Sequence, residues 1–489
     1  MITNRIKHFL KRYYPFFTLA LFAVYTLIII FSRTPFWDEA HQIDIARLSV
    51  LEIFKIVRII GHPALWYLII KPFSSPNLYP YSIYILNWLF CMGAVIFLWT
   101  KSPFDLLNKT LITFSVPFLY FFAPVARCYG LAILLFFILC NLFPFKSRYP
   151  YKIALILFIC ANTSFLSIIG CIFLGILQLY DLYIRNSKNL KNIILLYFVF
   201  SLVILLQLWG AKKPYPLESS EYIARLCAYF LIKPLWINLQ SFLLHLPSGL
   251  MIYIMPIYFF RKSKQALFFI CGTFLCLTSV FAFAYSGSYW NYYFYYIFFI
   301  MTFWMFHRKL LSDLFVKILF TSVLFMCCSP KALLSDIINT PYLSHSKEIA
   351  NYILNNNSYL NAKLYVLEGW SDISPGADIY LLKNNIYLYD IYNRRKISYE
   401  SLKEIHKLNY ETVNMDRLFA VMDNNSYLLA NSDFQSHKFN SIKLIKKGHD
   451  FYLYTKDNNF LIKLIDSRDD INLYIYKILK IPSYDRINL

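Results

Sequence analysis

Residues 15–44 read PFFTLALFAVYTLIIIFSRTPFWDEAHQID. The first eighteen of these, 15–32, carry no charge and come close to the length an apolar helix needs to cross a bilayer. Arg5, Lys7, Lys11 and Arg12 precede them, which sets the N-terminus on the cytoplasmic side. No small-residue cleavage site follows; Arg33, Pro35 and Trp37 come next, so the run reads as an uncleaved anchor and not a signal peptide. The adjacent carboxylates Asp38 and Glu39 then stand at the outer edge of the membrane.

Outward from this stretch the same pattern recurs. Apolar runs fall at about 81–99, 109–123, 129–143, 152–164, 165–181, 193–209, 247–260, 266–285, 290–306 and 312–328, which with the first makes about eleven expected spans. Lys101 and Lys109, then Lys146, Arg148 and Lys152, then Arg185, Lys188 and Lys191, then Arg261, Lys262 and Lys264, then Arg308, Lys309 and Lys317 mark every second link as cytoplasmic. The segment His62 to Phe73 is too short to span and is bounded by Pro63 and Pro72, so it reads as a re-entrant or interfacial helix on the outer side. Counting it as a span would invert every later link.

The 489 residues are 58% hydrophobic and 15% charged, beyond the range of a wholly soluble chain. Residues 1–328 hold 28 of the 48 Lys and Arg and 9 of the 27 Asp and Glu, whereas 329–489 are nearly balanced at 20 and 18. The basic excess therefore lies in short links between spans and not on a folded basic face, which excludes a nucleic-acid partner. All ten cysteines precede residue 329 without a CxxC pair and read as small buried hydrophobes. Two domains follow: a transmembrane domain over 1–328 and a small extracytoplasmic α/β domain over 329–489. In the latter, His345–Leu354 reads as a helix and KLYVLEG, DIYLLKN, LFAVMD, IKLIKKG and FYLYTKD as strands. Its charges are scattered singly and predict a solvated surface without a catalytic centre.

Acids are rare in the membrane half, and Asp38, Glu39, Asp44 and Glu52 share one outer loop. From Asp38 the apolar positions Ile43, Ala46, Val50, Ile53, Phe54 and Val57 predict one amphipathic helix lying on the membrane surface. Asp44 with Arg47 and Glu52 with Lys55 are i,i+3 pairs and read as surface ion pairs. Asp38 and Glu39 have no cation at i+3 or i+4; a helix N-cap is the plain structural reading of Asp38. A carboxylate at membrane depth is otherwise a site by default.

A first span followed by F-W-D-E-A, an amphipathic stretch, then G-H-P-A-L-W-Y-L-I-I-K, and later A-R-C-Y-G, resembles the GT-C glycosyltransferases. The likeness covers residues 1–330 and is to the bacterial branch related to protein O-mannosyltransferases and aminoarabinose transferases. The tail after the last span resembles that family's outer domain more weakly. The resemblance implies an inverting transfer of a sugar from a polyprenyl-phosphate donor lipid to an envelope lipid, glycan or protein acceptor. Asp38 would be the base at the matching position. A phosphate leaving group needs no general acid, so one carboxylate suffices. Glu39 would be a second proton acceptor, a metal ligand or an orienting partner.

A departing lipid phosphate calls for cations at the membrane edge. Arg127 is the first choice, with Tyr129 as a hydrogen-bond donor, and Lys71 the second; snorkelling or interfacial anchoring is the alternative for both cations. His62 matches the family's His-Pro and reads as substrate-binding or as a helix start. His41, one turn from Asp38, would complete a metal site with the two carboxylates, but such a trio is too common to require one, and no cofactor is expected. Lys212, Lys213, Arg225, Lys233 and His245 would line a donor site or meet phospholipid. The link Ser286–Tyr293 lacks the Arg or His often found in relatives; Tyr289 and Trp290 would stack on sugar or belong to an aromatic belt. The competing classes are a transporter or lipid flippase and a catalytically inactive assembly protein. The expected location is the inner membrane, surrounded by membrane lipids.

Overall fold

The computed structural model describes residues 2–35, 37–209, 257–283, 289–311, 313–328, 345–366, 373, 376–390, 396, 426–430, 443–447, 450–454, 459–468, 470 and 473–481. The expected span at 247–260 falls mostly outside them, as do the expected strand LFAVMD and the cations and His245 of the 210–256 link. The described helices are α1 (Ile2–Ser32), α2 (Trp37–Arg47), α3 (Val50–Ile60), α4 (Leu65–Ile70), α5 (Tyr81–Lys101), α6 (Leu106–Thr113), α7 (Tyr129–Leu142), α8 (Pro150–Ala161), α9 (Phe165–Ile184), α10 (Leu190–Leu208), α11 (Lys264–Phe283), α12 (Tyr289–Met305), α13 (Leu314–Met326), α14 (Ser346–Leu354) and α15 (Gly376–Leu382), besides single turns. The chain forms two compact units: Met1–Ser32 with Ser49–Ile70 and Ile83–Thr340, and Arg33–Leu48 with Lys71–Ser82 and Pro341–Leu489.

The first unit is helical. Among the described residues five helices are long and apolar enough to cross a membrane, namely Tyr13–Ser32 of α1, then α5, α9, α10 and α11; α7, α8 and α13 are apolar but shorter. The protein is thus mostly helical and membrane-embedded, with a small sheet. At its centre α12 is buried on every side from Asn291 to Phe306, as expected of a helix apolar all round. Close approach takes the place of a hydrophobic driving force here. At Gly170 of α9 an added Cβ would lie 2.6 Å from the Phe298 ring of α12 and 3.0 Å from Phe136 of α7, so only glycine admits both rings.

The polar contacts sort the ends of these helices into two sets. Lys262 pairs with Asp313 at 2.8 Å, Lys317 with Asp105 at 3.1 Å, and Asp181 with both Lys146 (3.6 Å) and Arg185 (3.1 Å). Lys262–Asp313, Lys317–Asp105 and Lys146–Asp181 each join two basic links, so the links they join share ends, whereas Arg185–Asp181 lies within one helix end. At opposite helix ends, Gln207 donates to Asn162 (2.8 Å) and accepts from the Ala64 amide (3.0 Å).

Two sequence expectations are corrected here. The span expected over 109–123 is broken: α6 stops at Thr113 and a separate π-helical turn runs from Pro117 to Phe122. Pro117 has no N–H to give and its ring crowds the carbonyl four residues back. The single helix expected from Asp38 to Val57 is two helices, and Asp38 lies inside the first turn of α2 and not at an N-cap. The break is a capping box: Ser49 Oγ accepts from the Glu52 amide (3.3 Å), and Glu52 Oε2 accepts from the Ser49 amide (2.8 Å). Glu52 takes part in that cap.

The second unit holds a seven-stranded sheet in the order β2-β1-β3-β7-β6-β5-β4, where β1 is Lys363–Val366, β2 Leu388–Asp390, β3 Ser426–Ala430, β4 Lys443–Lys447, β5 Asp450–Tyr454, β6 Asn459–Arg468 and β7 Leu473–Ile481. β1 runs parallel to β2 and β3; the other pairs are antiparallel. Leu364, Val366, Leu429, Leu473 and Ile475 form one buried cluster with Ile349, Ala350 and Ile353 of α14 and Ala377 and Leu381 of α15. DIYLLKN, expected as a strand, contributes most of α15 instead. Ala377 and Leu381 are four apart and both fully buried, the spacing of a helix face.

Candidate functional site

In the second unit the site is built on α2. Its first turn carries Asp38, half-buried, and Glu39, fully buried. Arg33, 6% exposed, donates Nη1 to Glu39 Oε2 at 2.8 Å and Nη2 to Oε1 at 2.5 Å. A two-pronged guanidinium–carboxylate pair is the geometry that offsets desolvation of both charges. Both oxygens of Glu39 thereby accept from Arg33. Gln42 Nε2 donates to the Asp38 carbonyl at 3.0 Å and holds the same turn.

At the other end of α2, Lys71 Nζ donates to the carbonyls of Ala46 (3.2 Å) and Leu48. An ammonium there meets the orphaned carbonyls of the last turn. The residue expected to hold donor phosphate is, in this structure, a helix cap. His41 is buried. Among the described residues no three His, Cys, Asp or Glu are grouped to hold a metal ion.

The outer domain was expected to show only solvated charge. Asp378 on α15 instead is 5% exposed, and burial pushes its carboxyl up to about 7 against the Leu388 amide and Arg47, which both lower it. Asp44 on α2 is half-buried; burial and then the Asp378 charge push it well above the ordinary carboxylate range, with Arg47 opposing. Asp44 is therefore not the plain surface partner of Arg47.

In the first unit the site is a short loop between the π-helical turn and α7. Asn87 of α5 donates its side-chain amide to three carbonyls, Phe122 (2.9 Å), Ala123 (3.2 Å) and Val125 (2.9 Å), and is itself fully buried. Gly130 lets α7 close on α5 at that point: an added Cβ would sit 2.8 Å from the Asn87 carbonyl oxygen. Arg127, 8% exposed, is mounted on this loop, and its amide donates to Val125 at 2.8 Å. Tyr129 is nearly fully buried and its hydroxyl accepts from Asn291 Nδ2 at 2.9 Å.

His62, in the link before α4, falls under the field of Arg127. Burial first and the Arg127 charge second push its imidazole down to about 3, so it is neutral at ordinary pH. The sequence treats His62 and Arg127 separately; in the fold the Arg127 charge reaches His62. Tyr289 and Trp290 open α12, and their side chains lie outside the described residues. Compared with protein families, curated proteins and solved structures, the chain matches none.

The residues that sequence reasoning missed are Arg33 and Asn87. Arg33 lies six positions before Glu39, outside the i+3 and i+4 window in which a partner was sought. Asn87 is a lone amide inside an apolar span, where a polar side chain must find partners. That rule alone was signal enough.

Proposed function

We propose that the chain is an inverting membrane glycosyltransferase of GT-C type with about eleven spans, taking a sugar from a polyprenyl-phosphate lipid to an envelope acceptor. The observation that carries the reading is the mounting of Asp38. It is a half-buried carboxylate directly after the first span, on a helical turn whose next residue is locked by the Arg33–Glu39 pair. The positive-inside rule assigns the basic helix ends to the cytoplasm of a plasma membrane and the other ends, with the C-terminal domain, to the outside.

In this reading the acceptor hydroxyl gives its proton to the Asp38 carboxylate as its oxygen bonds to the anomeric carbon. The bond from that carbon to the donor's phosphate oxygen breaks, and the lipid phosphate departs with the electron pair. Arg127 supplies positive charge to the phosphate, and neutral His62 offers a hydrogen bond without adding or cancelling charge. The reach of the Arg127 charge to His62 supports this assignment.

The test is transfer of radiolabelled sugar from polyprenyl-phosphate donors in membranes containing the full chain. Asp38→Asn should leave the protein folded and membrane-bound and abolish transfer; wild-type activity in that variant removes Asp38 as base. Failure of the wild type with every lipid-linked sugar offered removes the glycosyltransferase reading.

A further inference from the structure

In the first unit α9 and α11 pack together, tightly at Gly272. An added Cβ there would lie 2.1 Å from the Phe173 ring, so the ring rests on bare backbone and pins the two helices. Phe173 also meets Phe268, one turn earlier on α11, edge-on with centroids 5.3 Å apart. Beyond that contact, toward the C-terminus of α9 and the N-terminus of α11, the helices border a groove of about 230 Å³ lined by Ile176, Leu177, Tyr180, Lys264, Gln265 and Phe268.

The lining divides by chemistry. Leu177 is buried and forms the floor, while Ile176 and Phe268 stay 42% and 43% exposed, so the apolar walls open to the surroundings of the bundle. Both helices are long and apolar enough to cross a membrane, which makes those surroundings lipid. At the rim stand an ammonium, an amide and a phenol, from Lys264, Gln265 and Tyr180. Among the described residues none of these three side chains has a hydrogen-bond or ion-pair partner. All three can donate, which suits an anion. The nearby acids are already matched: Asp181 by Lys146 and Arg185, Asp313 by Lys262. Lys188 and Arg261 add exposed positive charge at the same helix ends.

We propose that this groove binds one anionic phospholipid, with its phosphate on Lys264, Gln265 and Tyr180 and an acyl chain along Ile176, Leu177 and Phe268. An exposed apolar wall alone takes any lipid, and a snorkelling lysine alone meets headgroups in passing. A concave apolar wall joined to convergent donors selects one molecule. A zwitterionic lipid brings the same chains but offsets its phosphate with its own cation, so a basic rim prefers a headgroup of net negative charge. The groove is separate from the Arg127 loop, which opens α7, whereas the far end of α7 leads to Lys146 among the basic links. The proposal rests on membrane embedding and stands without the proposed activity; the orientation given above places the lipid in the cytoplasmic leaflet.

The test is native mass spectrometry of the full chain released from nanodiscs of phosphatidylglycerol and phosphatidylcholine in equal amounts. The wild type should retain phosphatidylglycerol in preference to phosphatidylcholine. Lys264→Gln should lower that preference about fivefold, the effect of one basic residue at an anionic surface, and Lys264→Arg should restore it. Lys188→Gln makes the same charge change outside the groove and should leave the preference unaltered. Ile176→Trp fills the groove from an exposed position without touching charge and should lose the bound lipid. Glycerol 3-phosphate, which has the phosphate without the chains, should not displace it. Equal retention of the two lipids by the wild type overturns the proposal, as does an equal fall in Lys188→Gln and Lys264→Gln, a folded Ile176→Trp variant that keeps the lipid, or displacement by glycerol 3-phosphate.

Discussion

The two terminal nitrogens of Arg33 grip the two oxygens of Glu39 in a pair that is almost wholly out of water, one residue from Asp38. Removing either partner strands a buried charge, whereas removing both leaves an apolar contact. Arg33→Met alone or Glu39→Leu alone should each cost about 3–5 kcal/mol, and the double variant far less than their sum. Denaturation of the purified protein in detergent measures the cycle. Additive losses would mean that the pair does not act as a unit.

Asn87 stands to the Arg127 loop as that pair stands to α2. Asn87→Leu takes a donor from three buried carbonyls, of which Val125 still accepts from the Arg127 amide while Phe122 and Ala123 lose the Asn87 amide. Each stranded carbonyl costs about 1–3 kcal/mol before relaxation, so the variant should melt well below the wild type. Gly130→Ala should do the same by a different route, forcing α7 off α5 where the Asn87 carbonyl oxygen would stand 2.8 Å from the new carbon. A melting temperature unchanged in both variants would show that the loop is not held as described.

The reach of the sequence is visible in these cases. Long apolar runs became helices because a polar backbone in lipid has few other solutions, and the basic links gather at shared helix ends. The break between α2 and α3 was also written plainly, in the Ser49-x-x-Glu52 box, yet a hydrophobic period running through it obscured the cap. DIYLLKN misled for the opposite reason: alternating apolar residues in seven positions fit a strand, and only contact with the sheet selects the helix. The grip of Arg33 on Glu39 and the reach of the Arg127 charge to His62 depend on tertiary approach, which no local spacing encodes.

His62 gives the fold a pH dependence of its own. Its folded value, about 3, lies below the ordinary imidazole value of about 6.5, so between the two the unfolded chain binds more protons. Stability from this residue is therefore full above about pH 6.5 and is lost as the pH falls toward 3. His62→Gln removes the titration while keeping a hydrogen-bonding side chain. Thermal unfolding compared at about pH 7.5 and about pH 4.5 should show the wild type losing more than this variant on acidification. Equal losses would mean that His62 is already charged in the folded protein.

Lys71 separates two roles that its position in the chain leaves equal. If its ammonium serves the carbonyls of Ala46 and Leu48, its charge matters to the end of α2, and Lys71→Met should loosen that end by roughly 1 kcal/mol while Lys71→Arg largely restores it. Hydrogen exchange across residues 44–48 reads this directly, independently of any turnover. If the ammonium instead leaves those carbonyls to hold donor phosphate, Lys71→Met should raise the KM for the lipid donor and leave protection of α2 untouched. The geometry favours the first result: both carbonyls lie within reach of one ammonium, and a phosphate could recruit it only by uncapping the helix that carries Asp38.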